Sequence, residues 1–187
     1  MKTLKEIIFE SLLTESKKKK YFPTDKKELL DLVEKKINNA IKKHHYDIDL
    51  NDIDTSKITD MAYLFADKQS IQKLDISEWD VSNVTDMTCM FMGSEFGGDI
   101  SKWDVSKVEN MREMFKQANY FDCDISNWDV SNVKDMSGMF SRTERFNQDL
   151  SKWNVTITDG DKLDWMFYHS HLDTQLPEWY KKITGEK

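Results

Sequence analysis

Aspartate recurs at a nearly constant spacing in this chain and forms two columns of equivalent positions. These columns are the pattern that most resembles a chemical site. One column precedes a repeated aliphatic residue, and the other follows a repeated aromatic residue. Six to eight converging oxygens bind Ca²⁺, whereas separate Asp side chains accept hydrogen bonds from backbone N–H groups in turns. The chain contains no EF-hand loop or glycine-rich nonapeptide, so the turn role is favoured and Ca²⁺ stays the open alternative. The columns are Asp49, Asp75, Asp99, Asp124 and Asp149, and Asp54, Asp80, Asp104 and Asp129 with Asn154 as the fifth member.

The other groups that could perform chemistry do not form a catalytic pattern. The four histidines form one adjacent pair and one pair two residues apart, and neither pair supplies the four ligands of a zinc site. The chain has no glycine-rich phosphate loop and no nucleophile elbow. Cys89 and Cys123 lie in different phases of the repeat, which argues against a structural disulfide. We therefore expect a protein that is not an enzyme, with no catalytic, cofactor-binding or metal-binding residues.

The aspartate columns belong to a longer repeat with a nearly constant period. Its first aliphatic residue recurs in steps of 26, 24, 25, 25 and 26 residues. These residues are Leu50, Ile76, Ile100, Ile125, Leu150 and Leu176. A fixed period of this length is typical of leucine-rich-type solenoids, in which equivalent residues of successive repeats lie above one another.

Two apolar patterns recur within each repeat and predict its core. A Trp, replaced by Ile53 in the first repeat, follows the first aliphatic residue by three positions and indicates a short strand. Further along, Met-x-x-Met-Phe has the i, i+3, i+4 spacing of one face of a helical turn. The predicted structural core consists of Trp79, Trp103, Trp128 and Trp153, Met87, Met111 and Met136, and Phe91, Phe115 and Phe140.

These patterns predict an α/β repeat fold. We expect a leucine-rich-repeat-like solenoid of about five coils over residues 47–187, each with a short strand, a turn and a short helix. Residues 21–46 carry apolar residues along one helical face and predict an N-terminal α-helical cap. Residues 1–20 predict an amphipathic helix followed by a lysine-rich tether.

The repeats resemble the BspA-like leucine-rich-repeat surface protein family over about residues 49–179. The resemblance rests on blocks such as residues 75–87, DISEWDVSNVTDM, and residues 124–136, DISNWDVSNVKDM. It implies a non-enzymatic repeat protein that acts in adhesion or protein binding. The family motif defines structural positions and supplies no catalytic residues.

The first fifteen residues are similar to the capsid-targeting leaders of internal head proteins of tailed phages. Such leaders are trimmed after an aliphatic-x-Glu tripeptide, which residues 8–10 and 13–15 match. This implies an alternative function as a phage-encoded internal or packaged head protein. The apolar stretch is interrupted by glutamates and is too short for a signal-peptide core, so we expect a cytoplasmic or virion-associated protein.

Charge is divided unevenly and bears on the partner. Residues 1–46 carry twelve lysines and seven acids, or +5, so residues 47–187 carry −12 to give the total of −7. An acidic repeat region disfavours nucleic acid as a partner of the repeats, and no segment is apolar enough to span a membrane. We expect a protein partner that contacts the variable position between the aliphatic and Trp columns. The residues at this candidate partner-facing row are Glu78, Lys102, Asn127 and Lys152.

Overall fold

The computed structural model describes residues 19–186, and most of that chain forms stacked turns. Its two α-helices are α1, Lys26–Lys42, and α2, Glu178–Thr184. Two short 3₁₀ helices span Gly160–Leu163 and His171–Thr174. Within the described residues there is no β-strand, and parallel pairing occurs only as isolated bridges. No helix in this part of the chain is long and apolar enough to cross a membrane.

The predicted α/β leucine-rich-repeat-like solenoid is wrong, because within the described residues no repeat contains a strand, and the first four contain no helix. In the third repeat, residues 100–124, the Trp103 N–H donates to the Ile100 carbonyl at 3.2 Å, which closes a β-turn where a strand was expected. Likewise the Met114 N–H donates to the Met111 carbonyl at 3.1 Å, where a helical turn was expected. A spacing of three residues fits the two ends of a β-turn as well as it fits a helix face.

A left-handed residue in each repeat prevents the helix. The residue two positions after the first Met has φ between 53° and 65° in all five repeats, counting Leu163 as the Met equivalent. Only one of these residues is glycine, so the chain gives little sign of the conformation. A right-handed α-helix cannot continue through such a residue. The five residues are Tyr63, Cys89, Glu113, Gly138 and Trp165.

Hydrogen bonds between repeats use the backbone groups that a helix would have used within itself. Along the Met-x-x-Met-Phe segment of the third repeat, alternate N–H groups donate to carbonyls of the fourth repeat, each at 2.9 Å. The donors are Met111, Glu113, Phe115 and Gln117. The N–H groups of the intervening residues Met114, Lys116 and Ala118 close turns within their own repeat at 3.0–3.2 Å. The repeats are therefore stacked by a regular ladder of backbone hydrogen bonds, which we call the turn ladder.

The aspartate columns begin the turns. Asp99 Oδ1 accepts from the Ser101 N–H at 2.9 Å, and Asp104 Oδ1 accepts from the Ser106 N–H at 3.1 Å. Hydrogen bonds from the serine two residues later hold the pKa of such a carboxyl below its usual range, because they favour its charged form. This applies to Asp54, Asp99, Asp104, Asp124, Asp129 and Asp149, which we call the capping aspartates.

Aromatic side chains fill the interior of the stack. The Phe of each Met-x-x-Met-Phe segment stacks on its equivalent in the next repeat, with ring centroids 5.3–5.9 Å apart. Each Trp of the aromatic column donates its Nε1–H to the aliphatic carbonyl of the preceding repeat, as Trp103 does to Ile76 at 3.1 Å. These indoles thus add a side-chain ladder to the turn ladder.

The two ends of the stack are different. At the first repeat, α1 buries Leu29, Val33 and Ile37 in the common core, and Asp25 begins this helix by accepting from the Glu28 N–H at 2.9 Å. At the last repeat, α2 places the Tyr180 ring against Phe167, with centroids 5.0 Å apart. The helix expected within the first fifteen residues lies outside the described part of the chain.

Candidate partner-binding groove

A groove crosses the third, fourth and fifth repeats where the row of left-handed residues reaches Gly138. Its neighbours in that row are Glu113 and Trp165, so the glycine leaves a gap between two larger side chains. A Cβ at Gly138 would lie 3.1 Å from Cγ of Glu113, and its backbone has φ +65°. A larger residue there would both fill the groove and strain the backbone.

The floor of the groove is formed by small residues, and one wall is aromatic. Ser137, Gly138 and Ser141 line the floor of a depression of about 670 Å³. Trp165 and Tyr168 form the wall on the fifth repeat, with their rings edge to face at 4.9 Å. The Trp165 side chain is 64% exposed, whereas the core tryptophans are 4% exposed. An exposed indole at the edge of a concave surface is a feature of binding sites.

The opposite wall and the rim of the groove carry charges of both signs. Lys116 Nζ lies 3.1 Å from Glu113 Oε1, and Lys162 Nζ lies 3.1 Å from Asp135 Oδ2. Burial raises the pKa of Asp135, but hydrogen bonds from Ser137 and Lys162 outweigh that effect and lower it. These pairs hold charged side chains in place beside the floor.

Arg142 differs from the other cations of the groove. It is exposed at the groove and forms no ion pair with any residue between 19 and 186. Its guanidinium is therefore available to bind a carboxylate or an aromatic ring of a partner. The groove thus combines an exposed aromatic pair, a floor of small residues and an Arg that pairs with no acid among residues 19–186.

The residues of the predicted core lie in the interior of the stack. All ten are buried. Trp103 contacts Phe91 and Trp128 contacts Phe115, with centroids 6.4 Å and 6.3 Å apart. These residues therefore pack in the core beneath the groove and do not line it.

The predicted partner-facing row lies on a different part of the stack from the groove. Glu78, Lys102, Asn127 and Lys152 are all exposed at the third position of the first turn of their repeats. None of the four lines the groove. Their role in binding a partner stays a prediction.

The repeat pattern does not predict the groove, although two residues of the sequence indicate it. Gly138 is the only glycine in a column of larger residues, and Trp165 is the only tryptophan outside the aromatic column. A tryptophan out of register with a buried column has no place in that column's core. Such a residue is a candidate for the surface.

The described residues show no arrangement suited to metal binding or thiol chemistry. No three His, Cys, Asp or Glu side chains converge as metal ligands within residues 19–186. Cys89 and Cys123 are free thiols, and burial raises the pKa of each, that of Cys123 to about 11. Both thiols are therefore protonated at neutral pH and poor nucleophiles.

Stacked turns with a continuous aromatic core and a concave, aromatic-walled surface define a repeat protein. More particularly, the chain belongs to the family described as Mycoplasma protein of unknown function, DUF285, which residues 35–96 and 94–183 match. No curated protein and no solved structure matches this chain.

Proposed function

We propose that this protein is a non-enzymatic protein-interaction module that binds a protein partner in the groove over Gly138. The observation that carries the proposal is the exposed indole of Trp165 beside a floor of small residues. Trp, Tyr and Arg dominate the binding energy of protein interfaces, and the groove presents Trp165, Tyr168 and Arg142 together.

The scaffold beneath the groove supports this role. The turn ladder and the stacked Phe rings hold the backbone under Ser137 and Ser141 in place, so binding need not order it. Exposed side chains on such a rigid frame can vary between repeats without changing the core. The resemblance to the BspA-like family agrees with a role in adhesion or protein binding.

Charge favours protein over nucleic acid as the partner of the repeats. Residues 47–187 carry a net charge of −12, which repels a phosphate backbone. The groove itself presents both signs, as Lys116, Lys162 and Arg142 lie near Glu113 and Asp135. A mixed surface of this kind complements a protein that also presents both signs.

The experiment compares the proteins captured from the native source by the full chain and by matched surface variants. Trp165→Ala and Arg142→Ala change exposed side chains of the groove, and Tyr46→Ala removes an exposed aromatic side chain elsewhere. We expect a partner that is retained by Tyr46→Ala and lost by both groove variants. Recovery of the same proteins in the same amounts with every variant would show that the groove is not the contact surface.

A double variant separates the groove from the partner-facing row. Lys102→Glu with Lys152→Glu reverses two exposed charges of that row and leaves the groove unchanged. Loss of the partner in this variant alone would assign binding to the row. Loss only in the groove variants assigns it to the groove.

A further inference from the structure

A second depression, which we call the end pocket, lies between the last turn of the fifth repeat and α2. Its volume is about 260 Å³. Four aromatic residues and three acidic residues line it together with one leucine, and no Lys, Arg or His between residues 19 and 186 does so. The aromatic residues are Trp165, Phe167, Tyr168 and Tyr180, and the acidic residues are Asp164, Asp173 and Glu186.

No cation within residues 19–186 neutralises the carboxylates of the end pocket. None of the three forms an ion pair with another residue in the described part of the chain. The Tyr180 phenol responds to these charges. Burial raises its pKa most, and the negative charges of Glu186, Asp164 and Asp173 raise it further, to about 12. The pocket is therefore a region of negative potential with aromatic walls.

Two backbone N–H groups of the fifth repeat also have no acceptor in the described part of the chain. In each earlier repeat, the N–H groups at the positions of Trp165 and Phe167 donate to the next repeat at 2.8–2.9 Å. In the fifth repeat neither N–H donates to a backbone or side-chain acceptor within residues 19–186. The third donor of this row, the His169 N–H, donates to Asp173 Oδ2 at 3.2 Å. The turn ladder thus ends with donors that match the carbonyls of one more peptide segment.

We infer that the end pocket binds a lysine or arginine side chain of the protein partner. The inference rests on the proposed function and names the chemistry of the partner segment. Cations bind over the faces of Trp and Tyr rings, and they bind more strongly where unpaired carboxylates also surround them. The backbone carbonyls next to such a side chain would accept from the free N–H groups of Trp165 and Phe167.

Continuity with the groove supports this assignment. Asp164, Trp165 and Tyr168 line both depressions, so a bound segment that crosses the groove reaches the end pocket at the Trp165 indole. The groove supplies cations for acidic groups of the segment, and the end pocket supplies anions for its basic group. The two sites are therefore complementary to a segment that carries opposite charges at its two ends.

The experiment titrates the full chain with single blocked amino acids while its amide and indole resonances are followed by NMR. The probes are N-acetyl-lysine-N-methylamide and its arginine equivalent, with the norleucine equivalent as the neutral control of similar length. We expect saturable shifts of the Trp165 indole N–H and of the Trp165 and Phe167 amides with the two cations and none with norleucine. The absence of saturable shifts, or equal shifts with norleucine, would overturn the inference.

Matched variants locate the binding. Asp173→Asn removes one charge from the end pocket and none from the groove, and we expect binding of the lysine probe to weaken about 2- to 5-fold. Asp161→Asn removes one charge from the groove but none from the end pocket, so it should leave that affinity unchanged. Equal weakening by Asp161→Asn would mean that only the general negative charge attracts the probe and would overturn the assignment.

The outcome is distinguishable from that of the proposed function. If the lysine probe fails to bind while Trp165→Ala and Arg142→Ala still lose the captured partner, only the end pocket inference is wrong. If the probe binds while both groove variants retain the partner, the proposed function is wrong and the end pocket remains as a cation site.

Discussion

Replacing Trp103 by alanine tests whether the indole ladder holds the repeats together. Trp103 lies in the middle of the stack and is 4% exposed. Its ring packs against Phe91, and its Nε1–H donates to the Ile76 carbonyl at 3.1 Å. Truncation to Ala therefore removes buried area, leaves a cavity and deletes a hydrogen bond in one change.

The expected cost follows from these three losses. Large-to-small substitutions of a buried Trp lower the free energy of unfolding by about 3–5 kcal/mol. Trp103→Phe keeps most of the ring contact but loses the indole donor. The Ile76 carbonyl retains its bond from the Trp79 N–H at 3.1 Å, so loss of the indole bond alone costs about 0.5–1.5 kcal/mol. A domain of this kind has about 5–15 kcal/mol in total, so Trp103→Ala removes a large share.

The assay is urea unfolding followed by far-UV circular dichroism and by tryptophan fluorescence. Coincident transitions by the two probes are required for the free energies to be compared, since repeat proteins can unfold in parts. Tyr46→Ala, which changes an exposed ring, is the control and should shift the free energy by less than about 0.5 kcal/mol. A cost below about 1 kcal/mol for Trp103→Ala would refute the reasoning, because it would mean that the indole is not part of a packed core.

Four further predictions follow from the turns and the thiols. The capping aspartates have lowered pKa values in the folded protein. Their contribution to stability is therefore present above the unfolded pKa of about 4 and is lost as the pH falls through the folded pKa. The urea midpoint should be constant from pH 6 to 8 and should decrease below about pH 4. Asp104→Ala should cost about 0.5–1.5 kcal/mol in urea unfolding, whereas Asp104→Asn, which keeps an acceptor for the Ser106 N–H, should cost less. Gln117→Gly, at φ 58°, should raise the free energy of unfolding by up to about 1 kcal/mol, whereas Asn127→Gly, at a position without positive φ, should lower it. Alkylation of Cys123 by iodoacetamide at pH 7.5 should be about 100-fold slower than that of an unstructured cysteine peptide, and a rate within threefold of the peptide would contradict the raised pKa of this half-buried thiol.

The spacing of apolar residues predicted which side chains face the interior better than it predicted the backbone that carries them. A β-turn from Met111 to Met114 and a helical turn place those two residues on the same side, so the pattern does not distinguish them. The deciding feature is the left-handed backbone at Glu113, and glutamate gives no signal for it. The prediction of short strands is wrong for the same reason, since Ile100 and Trp103 are the two ends of a β-turn.

The groove could be predicted only in part. The exchange of a large residue for Gly138 and the displaced Trp165 are visible in the sequence once the columns are aligned. The end pocket could not be predicted from the aligned columns. It depends on where α2 places Tyr180 and Glu186 against the fifth repeat, and this packing of a terminal helix follows from no repeat pattern.

The direction of the turn ladder has a mechanical consequence. Its hydrogen bonds join each repeat to the next, and the described chain enters at the first repeat, where Tyr21 bridges Ile53, and leaves beyond the fifth through α2. A pulling force applied between those two ends would load one interface between repeats at a time, so the molecule should unravel in steps. Each step would release one repeat of about 25 residues, or roughly 80–90 Å of extended chain. If the protein tethers two bodies, it would then lengthen under load in stages and would not break in a single event.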